Sequence, residues 1–337
     1  MRHEKEGNSD MKIRRIMLGA MIAVLLGNTV GVSAYAAESR NAETGLDQPQ
    51  TEAGTESVSS QTEAETEAAS SQTEEMQETA KELTAEELAA YYGDSVFIGD
   101  SIMLGFRNYC AKQKKDSFLR GIQFLAVGGY SANNAMKPVE DKNIHPLYKG
   151  RKYQVWDAVS MMKAKKVFIQ LGMNDISILG LEGARDRYKE VIDKIKEVSP
   201  DVEVNIISVT YTLEGQGKAK LNNNNIAKYN KLLQKMAAEN GWGYIDMATP
   251  VSDGKGNLAK GACSDGFVHL SSSAYAIWEK ELIGYANARQ ELTAAEEQDM
   301  DETQADDEVQ NAAQTEKADE TQTGNETQGT KEEPVQQ

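Results

Sequence analysis

The residues of this chain that could do chemistry begin with a serine at a predicted strand-to-helix turn. An apolar, strand-like run ends in Gly99-Asp100-Ser101, and helix-compatible sequence follows at once. Backbone N–H groups are free at a helix N-terminus and stabilise negative oxygen there, so the position suits a nucleophilic Ser101. The alternative is that Ser101 serves only as the N-cap of the helix, a common role of serine.

Three further segments could complete a site around this serine. They are Gly128-Gly129, Gly172-Met173-Asn174-Asp175 and Asp265-Gly266-Phe267-Val268-His269. Each also has an ordinary structural explanation, because glycine marks turns and an Asn-Asp pair caps helices or closes turns. Taken together, they offer a histidine base and amide donors for an oxyanion.

The elements that must position these segments alternate along the chain. Strand-like apolar runs occur at Val96–Ile98, Ile122–Val127, Lys166–Leu171, Val202–Val209 and Trp242–Met247. Helical spacing of apolar residues lies between most of them and again after residue 270. This alternation predicts a parallel sheet covered on both faces, with the ligand site at the carboxyl ends of the strands. The four segments therefore fall on one rim of the predicted sheet.

In their order and residue types, the four segments resemble the blocks of the SGNH, or GDSL-like, hydrolase family of esterases and lipases. The residues that match the family's Ser, Gly, Asn and His are Ser101, Gly129 (with Gly128 as a near alternative), Asn174 and His269. The resemblance spans about residues 94–288. It implies an α/β fold, a three-layer α/β/α sandwich with a five-stranded parallel sheet of the flavodoxin-like SGNH hydrolase type.

The resemblance also implies a reaction, ester hydrolysis through an acyl-serine intermediate. Ser101 would be the nucleophile and His269 its base. The backbone N–H groups of Ser101 and Gly129 and the side-chain amide of Asn174 would form the oxyanion hole. No metal or organic cofactor is expected for this chemistry.

The last segment departs from the family pattern, which usually places an aspartate three residues before the histidine. Here position 266 is glycine and Asp265 stands four residues before His269. A glycine-containing loop can absorb one extra residue, so Asp265 is predicted as the third catalytic residue. The alternative is a Ser-His dyad whose histidine is oriented by a backbone carbonyl. Asp100 and Asp175 are interpreted as hydrogen-bond acceptors that organise their loops.

Regions of different composition flank the predicted hydrolase domain, residues 86–290. Residues 1–36 combine basic residues, a short apolar run and an Ala-x-Ala site, which predicts a secretory signal peptide cleaved after Ala36. An uncleaved anchor is the alternative, but the apolar run is short for a bilayer span, so no stable membrane span is expected after cleavage. The acidic, polar segments 37–85 and 291–337 are predicted to be disordered.

Charge is divided unevenly between these regions. The whole chain has a net charge of −17, whereas residues 91–290 carry 27 Lys and Arg against 21 Asp and Glu, an excess of +6. The low isoelectric point therefore belongs to the flanks. The mild basic excess lacks the dense patch expected of a nucleic-acid binder, so no nucleic-acid partner is predicted.

Cysteine and histidine usage excludes some other chemistries. The two cysteines, Cys110 and Cys263, are permitted but not required to pair in an exported chain. With only three histidines and no Cys/His cluster, the sequence does not predict a zinc site.

The predicted partner is a small ester or an acetylated polysaccharide or peptidoglycan, met outside the cytoplasm by a secreted or envelope-associated protein. A carbohydrate acetylesterase ranks first. The alternatives are a short-chain lipase or lysophospholipase, an acetyltransferase with the same residues, and a non-catalytic envelope-binding module with the same fold.

Overall fold

The computed structural model describes residues 82–294. The predicted signal peptide and nearly all of the two acidic flanks lie outside this range. The first helix, α1 (Ala85–Gly93), begins at a capping box, in which Thr84 Oγ1 accepts from the N–H of Glu87 and Glu87 Oε2 accepts from the N–H of Thr84. Between residues 82 and 294, no helix is both long and apolar enough to cross a membrane.

Five parallel strands form the central sheet, as the sequence predicted. The strands are β1 (Ser95–Gly99), β2 (Gln123–Ala126), β5 (Lys166–Gln170), β6 (Glu203–Ile207) and β7 (Gly243–Ile245). Their spatial order is β2-β1-β5-β6-β7. Every residue of β1 is buried, which explains the unbroken apolar run, since strands covered on both faces show no alternation.

Helices cover both faces of this sheet and complete the α/β/α sandwich. They are α2 (Ser101–Cys110), α3 (Ala132–Ala135), α4 (Val155–Met161), α5 (Ile176–Val198), α6 (Asn223–Asn240) and α7 (272–285). On one face, α5 packs against α3, α4 and α6. The other face holds α1, α2 and α7. Residues 286–294 belong to a second unit, which is helical where the structure describes it.

Aromatic side chains fill the layer between the sheet and helices α1 and α2. Phe97 of β1 and Phe168 of β5 stack with ring centroids 4.5 Å apart. Phe106 of α2 and Tyr92 of α1 pack onto them, and both are fully buried. Aromatic pairs of this kind fix the position of α2 on the sheet. The position of α2 matters because Ser101 is its first residue.

A short antiparallel hairpin was not predicted. It pairs β3 (Leu147–Tyr148) with β4 (Arg151–Lys152) beside the main sheet. Its turn residues, Lys149 and Gly150, have φ of 47° and 79°. Two-residue strands leave no periodic signal, and a lysine in a left-handed turn position gives no turn signal either.

Candidate active site

The strand-to-helix turn at Ser101 is organised by the preceding residue. Asp100 is the N-cap of α2, and its Oδ1 accepts from the N–H of Ile102 at 2.9 Å. The interpretation of Ser101 as an N-cap is therefore wrong, because the cap lies one residue earlier. Ser101 is instead in the first turn of the helix, where backbone N–H groups lack helical partners. Its hydroxyl is left for another role.

A chain of hydrogen bonds connects that hydroxyl to His269 and Asp265. Ser101 Oγ lies 3.0 Å from His269 Nε2. On the opposite side of the ring, His269 Nδ1 lies 2.6 Å from Asp265 Oδ2. Because an ionised carboxylate only accepts hydrogen bonds, Nδ1 carries the proton and Nε2 is free to accept one from Ser101. This is the geometry of a nucleophile, a general base and a group that orients the base.

The loop that carries Asp265 turns at Gly266. Gly266 has φ of 77°, in the left-handed region that glycine adopts without strain. The loop is closed by the N–H of Ser264, which donates to the carbonyl of His269 at 2.8 Å. The structure thus brings the carboxylate to the imidazole despite the four-residue spacing.

Backbone donors also hold the Asp265 carboxylate. Its Oδ1 accepts from the N–H groups of Phe267, Val268 and His269 at 2.8, 3.0 and 3.2 Å. Burial raises the pKa of Asp265, but the N–H donors and the His269 ring outweigh that effect and hold this pKa well below its usual range. The carboxylate is therefore charged at any pH where the imidazole could act as a base.

Asn174 lies in the loop after β5 and contacts Asp100, the residue that precedes Ser101. Its Nδ2 donates to the carbonyl of Tyr130 at 3.0 Å and to Asp100 Oδ2 at 3.2 Å. Both hydrogens of the amide therefore point at protein acceptors. An oxyanion at Ser101 would have to share one of them.

Gly129 reaches this region through the loop between β2 and α3. It has φ of 72°, whereas its neighbour Gly128 does not adopt a positive φ. Its carbonyl accepts from Asn134 Nδ2 at 3.1 Å, and the next carbonyl, that of Tyr130, is the one bound by Asn174. The structure thus links the Gly129 loop to Asn174 through Tyr130, and it shows no hydrogen bond between Gly129 and Ser101.

Asp175 organises the same loop across a long sequence separation. It occupies the N-cap position of α5 but makes no side-chain capping bond there. Its two oxygens instead accept from the N–H groups of Ala132 and Asn133 at 3.0 and 2.9 Å. Asp175 thus stands at the start of the helix, as one interpretation had it, but its side chain serves as a loop-organising acceptor. Burial raises the pKa of this carboxyl, partly offset by the two N–H donors.

Sequence reasoning missed a further loop at the site, residues 211–218. The N–H of Leu213 donates to the carbonyl of Phe267 at 2.8 Å. The ammonium of Lys218 lies 4.8 Å from the centre of the Phe267 ring. A backbone hydrogen bond leaves no residue signature, and a lone lysine is not a recognisable motif, so no sequence signal would have found this contact.

Both cysteines are free in the structure. Cys110 is buried, and burial raises the pKa of its thiol to about 12. Cys263 is partly exposed, and its Sγ lies 3.5 Å from Asp265 Oδ1.

The sandwich fold and the Ser-His-Asp geometry define a serine-hydrolase-like protein, and sequence comparison specifies the family. Residues 92–277, more than half of the chain, match the profile of the GDSL-like Lipase/Acylhydrolase family. The chain belongs to this family of carboxylic ester hydrolases.

Individual relatives are distant. A multidomain esterase from Ruminococcus flavefaciens is 28% identical over 129 residues, which cover 36% of this chain and 16% of the relative's length. Among solved structures, a GDSL-like lipase from Bacteroides thetaiotaomicron is 19% identical with a TM-score of 0.41, covering 61% of this chain and 96% of that one. A catalytic mutant of an acetylxylan esterase from Geobacillus stearothermophilus is 14% identical with a TM-score of 0.41, covering 57% and 93%.

Proposed function

We propose that this protein is a secreted serine esterase that hydrolyses small acyl esters, O-acetyl esters first, on carbohydrate or cell-wall polymers. The observation that carries the proposal is the continuous chain of hydrogen bonds from Asp265 through His269 to Ser101. Membership of a family of acylhydrolases supports the reaction class. The esterase from Ruminococcus flavefaciens, although it matches over only part of its length, points to the same class.

The first half of the reaction forms an acyl-enzyme. Ser101 Oγ attacks the ester carbonyl carbon while its proton moves to His269 Nε2. The negative charge that develops on the carbonyl oxygen meets the N–H groups of Ser101 and Gly129 and the Asn174 amide. The imidazolium, paired with Asp265, then returns the proton to the leaving alcohol as the carbon–oxygen bond breaks.

The second half releases the acid. A water molecule gives a proton to His269 Nε2 and attacks the acyl carbon, and the proton returns to Ser101 Oγ as the ester bond breaks. Asp265 keeps its negative charge throughout, because the donors around it hold its pKa low. The residues of the site thus account for every proton in the cycle, and no cofactor takes part in it.

The substrate class and location are inferred from the chain outside and around the site. A signal peptide, predicted for residues 1–36, would direct the protein out of the cytoplasm, and residues 91–290 as a whole carry a mild positive charge. Acetylated polysaccharides and peptidoglycan are polymers outside the cytoplasm that carry ester groups, and many of them are anionic. Charge attraction would favour contact with such polymers at low ionic strength.

The central test is hydrolysis of p-nitrophenyl acetate by the full chain. Ser101→Ala and His269→Ala are each expected to reduce kcat by on the order of 10⁴-fold, because the site loses its nucleophile or its base. Ser252→Ala, in a surface loop, is the matched control and should retain the wild-type rate. Wild-type rates in both active-site variants would sink the mechanism.

The acyl and polymer preferences are tested separately. An acyl-chain-length series from acetate to decanoate, with acetate release from acetylated xylan and from peptidoglycan, should show the highest kcat/KM for acetyl esters. Equal or faster turnover of long-chain esters would support the lipase alternative. Failure of a fluorophosphonate to label Ser101 in the folded wild-type protein would instead favour a non-catalytic binding module.

A further inference from the structure

Asp100 is a buried carboxyl at the site that the mechanism above does not use. It precedes the nucleophile directly, and only 2% of its surface is exposed. It lies beside a narrow gap that Gln170 and Thr210 also line. Burial of a carboxyl destabilises the fold unless hydrogen bonds compensate for the lost water. The few hydrogen bonds of Asp100 therefore indicate what this carboxyl does in the interior.

The two oxygens of Asp100 have different partners. Oδ1 accepts from the N–H of Ile102 at 2.9 Å and caps α2. Oδ2 accepts from Asn174 Nδ2 at 3.2 Å. Within residues 82–294, Asn174 is the one side chain that donates to this carboxyl. One oxygen thus fixes the helix of the nucleophile, and the other fixes the amide predicted to donate to the oxyanion.

The contacts of Asn174 dictate which way its amide faces. An amide has a donor end and an acceptor end, which are similar in shape. The donor end of Asn174 meets two groups that can only accept, the Asp100 carboxylate and the Tyr130 carbonyl at 3.0 Å. Turning the amide over would place its oxygen against both of these oxygens. The arrangement therefore selects Nδ2, rather than Oδ1, for the end of the amide that faces Asp100, the residue before Ser101.

We propose that Asp100 is a positioning residue of the oxyanion site, which holds the donor end of the Asn174 amide toward the reacting carbonyl. This inference rests on the proposed esterase function and deepens it. The growing oxyanion shares one of the two amide hydrogens, while the other stays on its protein acceptor and keeps the amide in place. Because the carboxylate is anchored at the N-cap of α2, the nucleophile and the donor keep a fixed relative position.

The protonation of Asp100 decides the conditions for a test. Burial raises the pKa of this carboxyl to about 6, against the lowering effects of the Ile102 N–H and of His269. At pH 8 the carboxyl is ionised and purely an acceptor. Assays at pH 8 therefore examine the contact in the state described above.

The test is a double-mutant cycle on p-nitrophenyl acetate hydrolysis by the full chain. Asp100→Ser retains a good N-cap but is too short to hold the amide. It should lower kcat by about tenfold with KM within about twofold, and the loss should fall to below about twofold in an Asn174→Ala background. Asp116→Ser, an exposed loop carboxylate, is the control for the change of residue type. A tenfold loss in both backgrounds, or no loss in either, would overturn the inference.

A measurement independent of activity separates this inference from the esterase proposal. The side-chain amide protons of Asn174 can be assigned by NMR through their absence in Asn174→Ala. In Asp100→Ser, one of the two proton resonances should move upfield, since it loses a charged acceptor. If the resonances stay where they are, the positioning role is wrong. If they move and no ester is hydrolysed by the wild type, the contact stands and the esterase proposal fails.

Discussion

Two carboxylates of the site, Asp100 and Asp265, have opposite surroundings and opposite pKa shifts. Asp100 is 2% exposed and accepts from one neighbouring backbone N–H and one amide, and its pKa is raised to about 6. The Asp265 side chain is 35% exposed and accepts from three backbone N–H groups and an imidazole. Its pKa is held well below the usual range.

The comparison shows how the two environments set the charge of each group. Asp100 loses most of its hydration and gains few hydrogen-bond donors, so desolvation raises its pKa. Asp265 keeps some hydration and gains four N–H donors, so hydrogen bonding lowers its pKa. A residue that supports a general base must stay charged, whereas a residue that aligns an amide needs mainly a fixed position. Each carboxylate has the surroundings that suit its proposed task.

The largest expected effect on this comparison comes from Asp265→Asn. The change should lower kcat by roughly 10³-fold, because an amide does not fix the imidazole tautomer as a carboxylate does. This loss is smaller than the roughly 10⁴-fold of a buried triad aspartate, because Asp265 is partly exposed. The measurement is p-nitrophenyl acetate turnover at pH 8. Asp253→Asn is a matched control, since Asp253 is exposed and its pKa is also lowered, by hydrogen bonds with Asn257 and Lys255. A near-normal rate would point to a Ser-His dyad.

The next largest expected effect is that of Asn174→Ala. Loss of one oxyanion donor is expected to cost about 10²-fold in kcat with little change in KM, because the donor acts mainly in the transition state. Steady-state kinetics on the acetate ester measure both constants, with Asn240→Ala at the end of α6 as the control. A rise in KM at constant kcat would show that Asn174 binds substrate instead of stabilising the oxyanion.

Asp100→Asn should change how stability depends on pH. The folded-state pKa of Asp100, about 6, lies above the ordinary value of about 3.9, so the folded protein keeps this proton from about pH 4 to 6. Asp100 therefore makes the free energy of unfolding fall as pH rises through that window, by about 2–3 kcal/mol. Urea unfolding measures the free energy of unfolding of both proteins at pH 4 and at pH 7.5. The value for the variant minus that for the wild type should be about 2–3 kcal/mol larger at pH 7.5 than at pH 4. A constant difference between the two proteins would contradict the raised pKa.

The smallest expected effect is that of Gly266→Ala. Alanine at φ of 77° is strained by about 1 kcal/mol, although a Cβ there would meet no atom within 4 Å. The free energy of unfolding should fall by that amount, and kcat should fall modestly as Asp265 shifts. Gly261→Ala is the control, because Gly261 has open space and no positive φ. Equal stability of the two variants would show that the handedness of the loop is unimportant.

Much of the fold and the site residues could be predicted because their signals lie in single segments. The buried strands appear as apolar runs, and the turns after three of them carry Ser101, Gly129 and Asn174, whereas His269 precedes the last helix. Whether Asp100 or Ser101 is the N-cap of α2 could not be predicted, since serine and aspartate cap helices equally well. Nor could the bond from Asn174 to the Tyr130 carbonyl, because backbone acceptors are present at every residue.

The left-handed residue in the last loop has a consequence for how such sites are recognised. A pattern search that demands a fixed interval between acid and base would pass over this chain, although the two side chains meet at 2.6 Å. The chain between them includes Gly266, which adopts the left-handed backbone region. Such a site is therefore recognised more reliably by the distance between acid and base in space than by their interval along the chain.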